Sequence, residues 1–370
     1  MSRLVVKIGS SLLVEPGAGL RSERGLRRAW LASLAADLAD RRAAGDDVII
    51  VTSGAIAMGR SALGPDKELG SRLDDKQAAA AIGQIHLAHA YQASLAEHRL
   101  VTAQVLLTLE DTENRRRYLN ARATIEALLR LGALPVVNEN DTVATSEIRF
   151  GDNDRLSARV AVMTSADDLI LLSDVDGLYT ADPGACQDAV HIPYVEKITP
   201  EIEAMAGGSN SKVGTGGMVS KLIAAKIASR AGCRVTLAPG LGLNPLRQLQ
   251  DGGRHTAFLA STTPRRARKH WIAAALGTMG IITIDKGAAE ALKRGRSLLP
   301  AGVIAIEGRF ERGDPLLVRD PEGRDIAKGL SAYDAHDARQ IQGQKTNAIA
   351  SLLGYQGRDE LIHRDNLVLL

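Results

Sequence analysis

The sequence predicts an α/β protein, with an α/β/α sandwich around a mostly parallel sheet followed by a small β-rich domain. Three observations lead to this prediction. Short apolar strands alternate with helical segments up to about residue 260, only 3% of the residues are aromatic, and short β runs take over after residue 280. Cores built mainly from Ala, Val, Leu and Ile suit helices packed on a parallel sheet.

The alternation begins at the N-terminus, where residues 4–8 form a buried strand, residues 22–44 a helix and residues 48–51 a second strand. Further helices are predicted over residues 74–97, 113–131, 155–164 and 218–231, and further strands over residues 101–107, 134–137, 169–172 and 235–237. A strand–helix–strand order predicts parallel pairs, so the carboxyl ends of these strands should meet at one edge of the sheet.

A change of sequence character near residue 263 predicts the domain boundary. Residues 263–269 are polar and basic and are interrupted by Pro264. Short β-rich runs then follow at residues 281–284, 303–307 and 316–318. We expect an α/β domain over residues 1–262, a linker over 263–277, a mixed or barrel-like β domain over 278–360 and a C-terminal tail over 361–370.

Composition and charge exclude several classes of protein. The 46 Lys and Arg residues nearly balance the 43 Asp and Glu residues, which argues against a nucleic-acid-coating protein. The two cysteines lack metal-ligand spacing and are expected to be free thiols in a reducing compartment. The N-terminal apolar run is too short for a signal peptide, and no apolar stretch reaches the length of a membrane span. We therefore expect a soluble, cytoplasmic protein.

Five polar or glycine-rich stretches follow predicted strands or open predicted helices, where ligands bind in open α/β sheets. They are residues 7–11, 51–55, 138–142, 150–154 and 214–221. Each also has an ordinary interpretation: a lysine at a strand edge, a serine N-cap, an Asn/Asp turn, Asp154 as a helix N-cap, and a flexible loop. Their joint occurrence on one sheet favours a single binding site.

The residue types in these stretches suit phosphate and amino-acid chemistry. Lys7 lies inside an apolar strand, where an ammonium is costly unless it meets an anion. The glycines of residues 214–217 open a helix whose first turns carry Lys221, which predicts a phosphate cradle. No Gly-Lys pair exists, so this is not a Walker A motif. Residues 138–142 could hold a zwitterion.

Two further histidine patterns are interpreted as structural. His363-Arg364-Asp365 is similar to a protein-kinase catalytic loop but stands too close to the C-terminus to be followed by the metal-binding segment. His86 and His89 lie three residues apart without an evident carboxylate or cysteine partner.

The five stretches together resemble the glutamate 5-kinase branch of the amino-acid kinase family, and residues 297–302 and 308–314 are similar to a PUA domain. The resemblance implies the amino-acid kinase fold. It also implies ATP-dependent phosphorylation of the L-glutamate side-chain carboxylate to glutamyl 5-phosphate, the first step of proline biosynthesis.

The resemblance also implies roles for individual residues. Lys7 and Lys221 would bind the transferring phosphoryl group and Asp154 would organise them. Glutamate would be bound by Ser53, Asp141 and Asn153, with Asp152 close by. ATP would be held by Lys7, Ser173, Asp174, Thr215, Gly216, Gly217, Met218, Val219, Ser220 and Lys221. Dependence on Mg²⁺, inhibition by proline and a homo-oligomer, a dimer or tetramer, are implied as well, while no direct metal ligand is assigned.

Two alternatives stay open. Another phosphotransferase of the same family would act on acetylglutamate, carbamate or a nucleoside monophosphate, but the polar loops 138–141 and 152–154 favour a substrate with a free ammonium. An RNA-interacting protein would act through the PUA domain. Residues 278–370 carry 13 Lys and Arg against 13 Asp and Glu, whereas RNA binding usually needs a basic footprint.

Overall fold

The structure is a computed structural model that describes residues 2–14, 25–63, 70, 72–144, 152–207, 217–274 and 277–370. The side chains of Asp152, Gly207, His270, Trp271 and Ala274 lie outside this description. The chain divides into two compact units, Met1–Pro264 and Arg265–Leu370. Among the described residues, no helix has the length and apolar character needed to cross a membrane.

The first unit is built on an eight-stranded sheet. Its strands and those of a small hairpin are β1 (Arg3–Ile8), β2 (Asp47–Thr52), β3 (Thr102–Leu107), β4 (Leu134–Glu139), β5 (Asp168–Ser173), β6 (Leu178–Tyr179), β7 (His191–Ile192), β8 (Tyr194–Val195), β9 (Arg234–Pro239) and β10 (Thr256–Phe258). Its helices are α1 (Ser10–Leu13), α2 (Arg28–Ala43), α3 (Ala55–Leu63), α4 (Leu73–Ala96), α5 (Leu109–Glu113), α6 (Arg115–Arg130), α7 (Asp152–Thr164), α8 (Pro200–Gly207), α9 (Gly217–Arg230) and α10 (Pro245–Gln250).

The strand order of the large sheet is β3-β4-β2-β1-β5-β9-β10-β8. In this order, every neighbouring pair among β3, β4, β2, β1, β5 and β9 is parallel, and β10 runs antiparallel to β9. The predicted mostly parallel sheet is confirmed. The chain leaves β1 toward β2 and later returns to the other side of β1 as β5. This reversal is the topological switch point, where open α/β sheets bind their ligands.

Side chains alternate between the two faces of the central strand. Leu4, Val6 and Ile8 pack into the core cluster that includes residues of α2, α3 and α4. Val5 packs into the opposite cluster, which includes residues of α6, α7 and α9. Because the side-chain period of a strand is two, Lys7 lies on the same face as Val5, toward α7 and α9.

Several element boundaries differ from the sequence-based prediction. Helix α2 begins at Arg28 rather than near residue 22, because residues 25–27 are not helical, while residues 22–24 lie outside the described residues. Strand β4 continues through Asn138 and Glu139, which were expected to form a polar loop. The pattern also missed the short helix α5, which begins with a capping box made by Thr108 and Asp111.

The second unit contains a five-stranded sheet in the order β12-β11-β13-β14-β15. Its elements are α11 (Pro264–Ala274), which begins one residue before the unit, β11 (Gly280–Ile284), α12 (Lys286–Lys293), β12 (Val303–Gly308), β13 (Pro315–Arg319), β14 (Asp325–Leu330), α13 (Ala335–Ile341), α14 (Ile349–Leu353) and β15 (Leu367–Leu369). Only β11 and β13 pair in parallel, so the sheet is mixed, as the short β runs predicted.

Two segments of the predicted domain scheme have more structure than expected. Much of the predicted linker, residues 263–277, forms helix α11. The predicted tail, residues 361–370, is wrong as a tail, because β15 pairs with β14 and Leu361, Ile362 and Leu367 are buried in the core of this unit. The apolar run that forms β15 is only three residues long, so its pattern did not distinguish a strand from an unstructured tail. The other predicted boundaries stay predictions.

The His363-Arg364-Asp365 segment forms a single 3₁₀ turn. The His363 ring accepts a hydrogen bond from the backbone N–H of Asp365, which caps this turn. The interaction supports the structural interpretation of the segment.

Candidate active site

The carboxyl ends of four neighbouring strands form one edge of the large sheet, in the order β4, β2, β1 and β5. Asp141 follows β4, Ser53 follows β2, Lys7 is next to last in β1, and Ser173 ends β5. Neighbouring strands are about 4.8 Å apart, so these positions span roughly 15 Å. The residues predicted for glutamate therefore lie toward one end of this row, the ATP residue Ser173 lies at the other, and Lys7 stands between them.

Lys7 and Asp154 form a buried ion pair at the centre of this edge. The Lys7 ammonium lies 2.5 Å from Oδ1 of Asp154, and the two residues are 7% and 1% exposed. Asp154 belongs to the first turn of α7, on the sheet face toward which Lys7 points. Burying a charge is costly without a partner, so each of the two charges offsets the cost of burying the other.

The first turns of α9 complete this cluster. Ser220 Oγ donates a hydrogen bond to Oδ2 of Asp154 at 2.6 Å, and the Lys221 ammonium lies 3.5 Å from the same oxygen. The Lys221 ammonium also donates to the carbonyl oxygen of Gly217 at 3.1 Å. One carboxylate thus holds two ammonium groups, and the cluster carries one net positive charge.

Electrostatics in the cluster shift two pKa values. Burial lowers the pKa of Lys7, and the field of Lys221 lowers it further, although Asp154 opposes both. Burial alone would raise the pKa of Asp154, but Lys7 and Lys221 together hold it below its ordinary value. Asp154 is therefore an ionised carboxylate at neutral pH, and an added anion would stabilise the ammonium form of Lys7.

The ordinary interpretation of Asp154 as a helix N-cap is wrong. Helix α7 begins at Asp152, so Asp154 is inside the first turn rather than before it. Its two oxygens face Lys7, Ser220 and Lys221. Aspartate is common at caps, and a sequence pattern alone cannot distinguish a cap from a buried partner two residues further on.

The segment after β4 holds buried polar groups. Asn138 is 1% exposed and Asp141 is 9% exposed. The Asn138 amide nitrogen donates to Oε1 of Gln84 at 2.7 Å, but its oxygen has no hydrogen-bond partner among the described residues. The side-chain oxygen of Asn153, in the first turn of α7, is likewise buried and without a partner in that part of the chain. Buried acceptors of this kind usually have partners, so these two fit a ligand that brings donors.

Ser53 is half-buried in the turn between β2 and α3. Gly54, which follows, has a φ of +110°, a conformation that L side chains rarely adopt. A Cβ at Gly54 would lie 3.8 Å from Ser10, so the turns after β1 and β2 lie side by side. This arrangement places Ser53 near the end of the strand that carries Lys7.

Ser173 and Asp174 mark the other side of the switch point. Ser173 is buried and donates to Oδ1 of Asp174 at 2.9 Å, whereas Asp174 is exposed. The negative charge of Asp174 reaches Lys7 and works to raise its pKa. Of the remaining predicted ATP residues, Met218 packs on the apolar core and Val219 is exposed at the start of α9. Thr215, Gly216 and the Asp152 side chain lie outside the described residues.

The described residues contain no group of three or more His, Cys, Asp or Glu side chains placed to bind a metal ion. Asp154 is already shared by three donors. His86 and His89 are both exposed on α4.

Sequence reasoning missed several residues beneath the site. Thr52 ends β2, and Gln84 and Tyr91 lie on α4. Gln84 contacts Asn138 and Tyr91 contacts Thr52, but neither helix position belongs to an active-site motif. A buried Asn or Thr at the end of an apolar strand was the available signal, since each must find a polar partner.

Comparison with known proteins agrees with this geometry. Residues 2–238 match the model of the amino acid kinase family, and residues 280–353 match the PUA domain. The chain belongs to the amino acid kinase family.

Several curated relatives extend over nearly the whole chain. A Paramagnetospirillum magneticum protein is 58% identical over 99% of this chain and 97% of its own length, and proteins of Ruegeria sp. and Rhodospirillum rubrum are 55% and 57% identical over 99% of this chain and 98% and 96% of theirs. All three are named glutamate 5-kinase. A Giardia lamblia carbamate kinase bound to AMP-PNP has a TM-score of 0.51 at 15% identity over 70% of this chain and 99% of that one, which supports the amino acid kinase fold alone.

Proposed function

We propose that this chain is an ATP-dependent kinase that phosphorylates the side-chain carboxylate of L-glutamate and yields glutamyl 5-phosphate, the first intermediate of proline biosynthesis. Relatives more than half identical over their full length and named glutamate 5-kinase support this assignment. The observation that carries the proposal is the cluster of Lys7, Asp154 and Lys221 at the switch point of the sheet.

The cluster suits transfer of a phosphoryl group between two anions. A glutamate side chain has an ordinary pKa of about 4.3, so it is ionised at neutral pH and needs no general base. One carboxylate oxygen bonds to the γ-phosphorus of ATP, the bond from that phosphorus to the β,γ-bridging oxygen breaks, and ADP leaves with those electrons. Positioning and charge neutralisation dominate such reactions.

Each member of the cluster has a distinct part in this step. The ammonium groups of Lys7 and Lys221 lie on either side of Asp154 and would neutralise the phosphoryl oxygens. Asp154 fixes both ammonium groups and, being shared by three donors, acts as a positioning residue rather than as a base. The net positive charge that remains favours a polyanion at this position.

The opposite end of the edge would bind the amino acid. The α-ammonium of glutamate would donate to the unpartnered oxygens of Asn138 and Asn153, while Asp141 supplies negative charge for the same ammonium. Ser53 would contact the acceptor from the neighbouring strand end. A free α-ammonium is absent from acetylglutamate and carbamate, so this side favours glutamate over both.

The nucleotide would lie on the β5 side, over Ser173, Asp174 and the start of α9 from Gly217 to Lys221. Thr215 and Gly216, which directly precede α9 in the sequence, belong to the same proposed site. Mg²⁺, when bound, would add positive charge on the phosphates. An ion of this kind is usually held by phosphate oxygens and water with few direct protein ligands.

Three accompanying properties belong to the same proposal. Proline competes with glutamate, because both present an α-amino acid group to the same polar loops, and inhibition that glutamate cannot relieve would count against this. The chain forms a homo-oligomer, a dimer or tetramer, which sedimentation would measure. We place the protein in the cytoplasm, where its two free thiols would stay reduced.

RNA binding through the second unit is not favoured. The formal charges of residues 278–370 balance, and some of the basic side chains there are already paired, as Arg319 is with Asp325 and Arg324 with Asp320. Tight, salt-sensitive binding of RNA by the full chain would overturn this judgement.

The function is tested by measuring ATP- and Mg²⁺-dependent ADP release with glutamate, acetylglutamate, aspartate, carbamate and UMP offered separately. We expect release with glutamate alone, and its loss in Lys221→Ala. Activity with a different acceptor would keep the family and move the substrate assignment, whereas activity in Lys221→Ala equal to wild type would contradict the phosphate clamp.

A further inference from the structure

Helix α4 carries a polar stripe beneath the glutamate end of the site. Gln77, Gln84 and Tyr91 are spaced seven residues apart along a helix that is otherwise rich in alanine on its buried face. Seven residues make nearly two helical turns, so the three side chains lie on one face at intervals of about 10.5 Å. Each makes a hydrogen bond to a different residue next to the predicted glutamate ligands: Ala144, Asn138 and Thr52.

Two members of the stripe hold the ends of the segment that carries Asp141. Gln84 Oε1 accepts from the Asn138 amide at 2.7 Å, three residues before Asp141. Gln77 Nε2 donates to the carbonyl oxygen of Ala144 at 3.1 Å, three residues after Asp141. The loop is therefore attached to α4 on both sides of its predicted substrate ligand.

The third member holds the end of β2. The hydroxyls of Tyr91 and Thr52 lie 2.9 Å apart in a buried position, and Thr52 donates to the carbonyl oxygen of Ser53 at 3.2 Å. Either hydroxyl can be the donor in this pair, so the two side chains are joined whichever of them donates. Burial raises the pKa of Tyr91, so its phenol stays protonated.

The backbone packing of α3 against α4 fixes the same loops. A Cβ at Gly83 would fall 1.8 Å from the carbonyl oxygen of Ala55, the first residue of α3, and one at Gly59 would fall 1.8 Å from that of Ala79. The backbones of the two helices are thus in direct contact just after Ser53. Helix α4 determines the position of Ser53 through both this contact and Tyr91.

We propose that Gln77, Gln84 and Tyr91 are positioning residues that set the affinity for the acceptor amino acid by fixing the loops around Asp141 and Ser53. This inference rests on the proposed function for the identity of the acceptor. In a purely structural role, the stripe would only satisfy buried polar groups at strand ends. Variants of the stripe would then lose stability without a selective loss of acceptor binding.

The test compares three nearly isosteric variants of the full chain, Gln77→Met, Gln84→Met and Tyr91→Phe, each of which removes one hydrogen bond. We expect the KM for glutamate to rise roughly tenfold in each, because a buried partner loses its hydrogen bond and the loop loses its fixed position. The KM for ATP should change by less than about twofold and kcat by less than about threefold, since Lys7, Asp154 and Lys221 are untouched.

Matched controls make the same chemical changes elsewhere. Gln92→Met lies on the exposed side of α4, and Tyr194→Phe alters a tyrosine that is 66% exposed. Both should leave the KM for glutamate at the wild-type value. Equal rises in the KM values for ATP and glutamate, or lower thermal stability with an unchanged KM for glutamate, would overturn the proposal.

Hydrogen exchange of the ligand-free protein separates this inference from the proposed function. The backbone N–H groups of Asn140 and Val143 are bonded to Leu107 and Asn140, respectively, and should exchange faster in the Gln77 and Gln84 variants than in Gln92→Met. If the wild-type chain does not phosphorylate glutamate, the proposed function fails and these exchange rates decide the positioning claim alone. Wild-type exchange rates in both variants would overturn it.

Discussion

The ammonium of Lys7 lies 2.5 Å from Oδ1 of Asp154, and both side chains are more than nine-tenths buried. The other oxygen of Asp154 accepts from Ser220 and faces Lys221. A central strand and two helices on the same sheet face are thereby joined through one carboxylate. This shared carboxylate explains why two lysines can be buried together, and it predicts how substitutions and pH affect activity.

Replacing Asp154 by Asn should separate phosphate binding from catalysis. The substitution keeps the shape but removes the charge that fixes both ammonium groups, so we expect kcat to fall by roughly 10²-fold or more. The cluster gains net positive charge, so the affinity for ATP should stay equal or rise. Steady-state kinetics and calorimetric titration with ATP measure the two effects.

The control for that variant is Asp40→Asn, which breaks an exposed ion pair with Arg247. Exposed pairs contribute little, so activity and stability should stay near wild type. An Asp154→Asn variant that retains wild-type kcat would show that Asp154 does not organise the lysines.

Removing the Ser220 hydroxyl should have a smaller effect in the same direction. Ser220→Ala takes away a charge-assisted hydrogen bond to Asp154 without changing the charge of the cluster. We expect kcat to fall roughly tenfold. The double variant with Lys221→Ala should be less impaired than the product of the two single effects, because both act through one carboxylate. Multiplicative losses would argue against a shared network.

The pH dependence should reveal Lys7. Its pKa is lowered, chiefly by burial, below the ordinary value of about 10.4, so the free enzyme loses this positive charge as pH rises toward that value. We expect kcat/KM for ATP to fall on the alkaline side below pH 10.4. The corresponding fall in kcat should occur at higher pH, because bound phosphates stabilise the ammonium.

The contribution of Lys7 to folding stability should rise with pH, whereas the activity falls. The folded chain releases the Lys7 proton before the unfolded chain does, so the contribution of Lys7 to stability increases as pH rises from its folded pKa to about 10.4. Lys7→Arg serves as the comparison, since a guanidinium stays charged, and its activity should lack the alkaline fall. A wild-type profile that is flat up to pH 10.4 would contradict this assignment.

Gly83→Ala tests the contact between α3 and α4. The added Cβ would meet the Ala55 carbonyl oxygen at 1.8 Å, and such overpacking costs about 1–3 kcal/mol. We expect a lower midpoint of thermal unfolding together with a raised KM for glutamate. Ala93→Ser, on the exposed side of α4, should change neither quantity. A fully stable Gly83→Ala variant would show that the helices can separate.

The sequence predicted the central sheet and the lysine within β1 because their patterns are local. An uninterrupted apolar run identifies β1 whatever surrounds it, and Lys7 stands out within that run. The pairing of Lys7 with Asp154 could not be predicted from a pattern, since it depends on how α7 packs over β1. The residues of the α4 stripe were missed for the same reason, because Gln and Tyr in an alanine-rich helix have no local signal of their partners.

In the second unit, the same reasoning from local patterns failed to predict strand β15. Strand β15 is three residues long and reads as a terminus, yet it completes the sheet by pairing Leu367 with Gly329. Its place depends on a partner strand that itself carries a weak pattern, Asp325–Leu330. Short strands at sheet edges take their stability from pairing more than from their own residues.

The most direct test of the central claim is a single-turnover reaction with excess enzyme, ATP and glutamate, quenched into hydroxylamine to trap an acyl phosphate as its hydroxamate. We predict that wild type forms glutamyl hydroxamate in step with ADP, and that Lys221→Ala, which leaves Asp154 in place, forms it at least about 10²-fold more slowly. ADP without hydroxamate, or equal rates in the two proteins, would contradict the account.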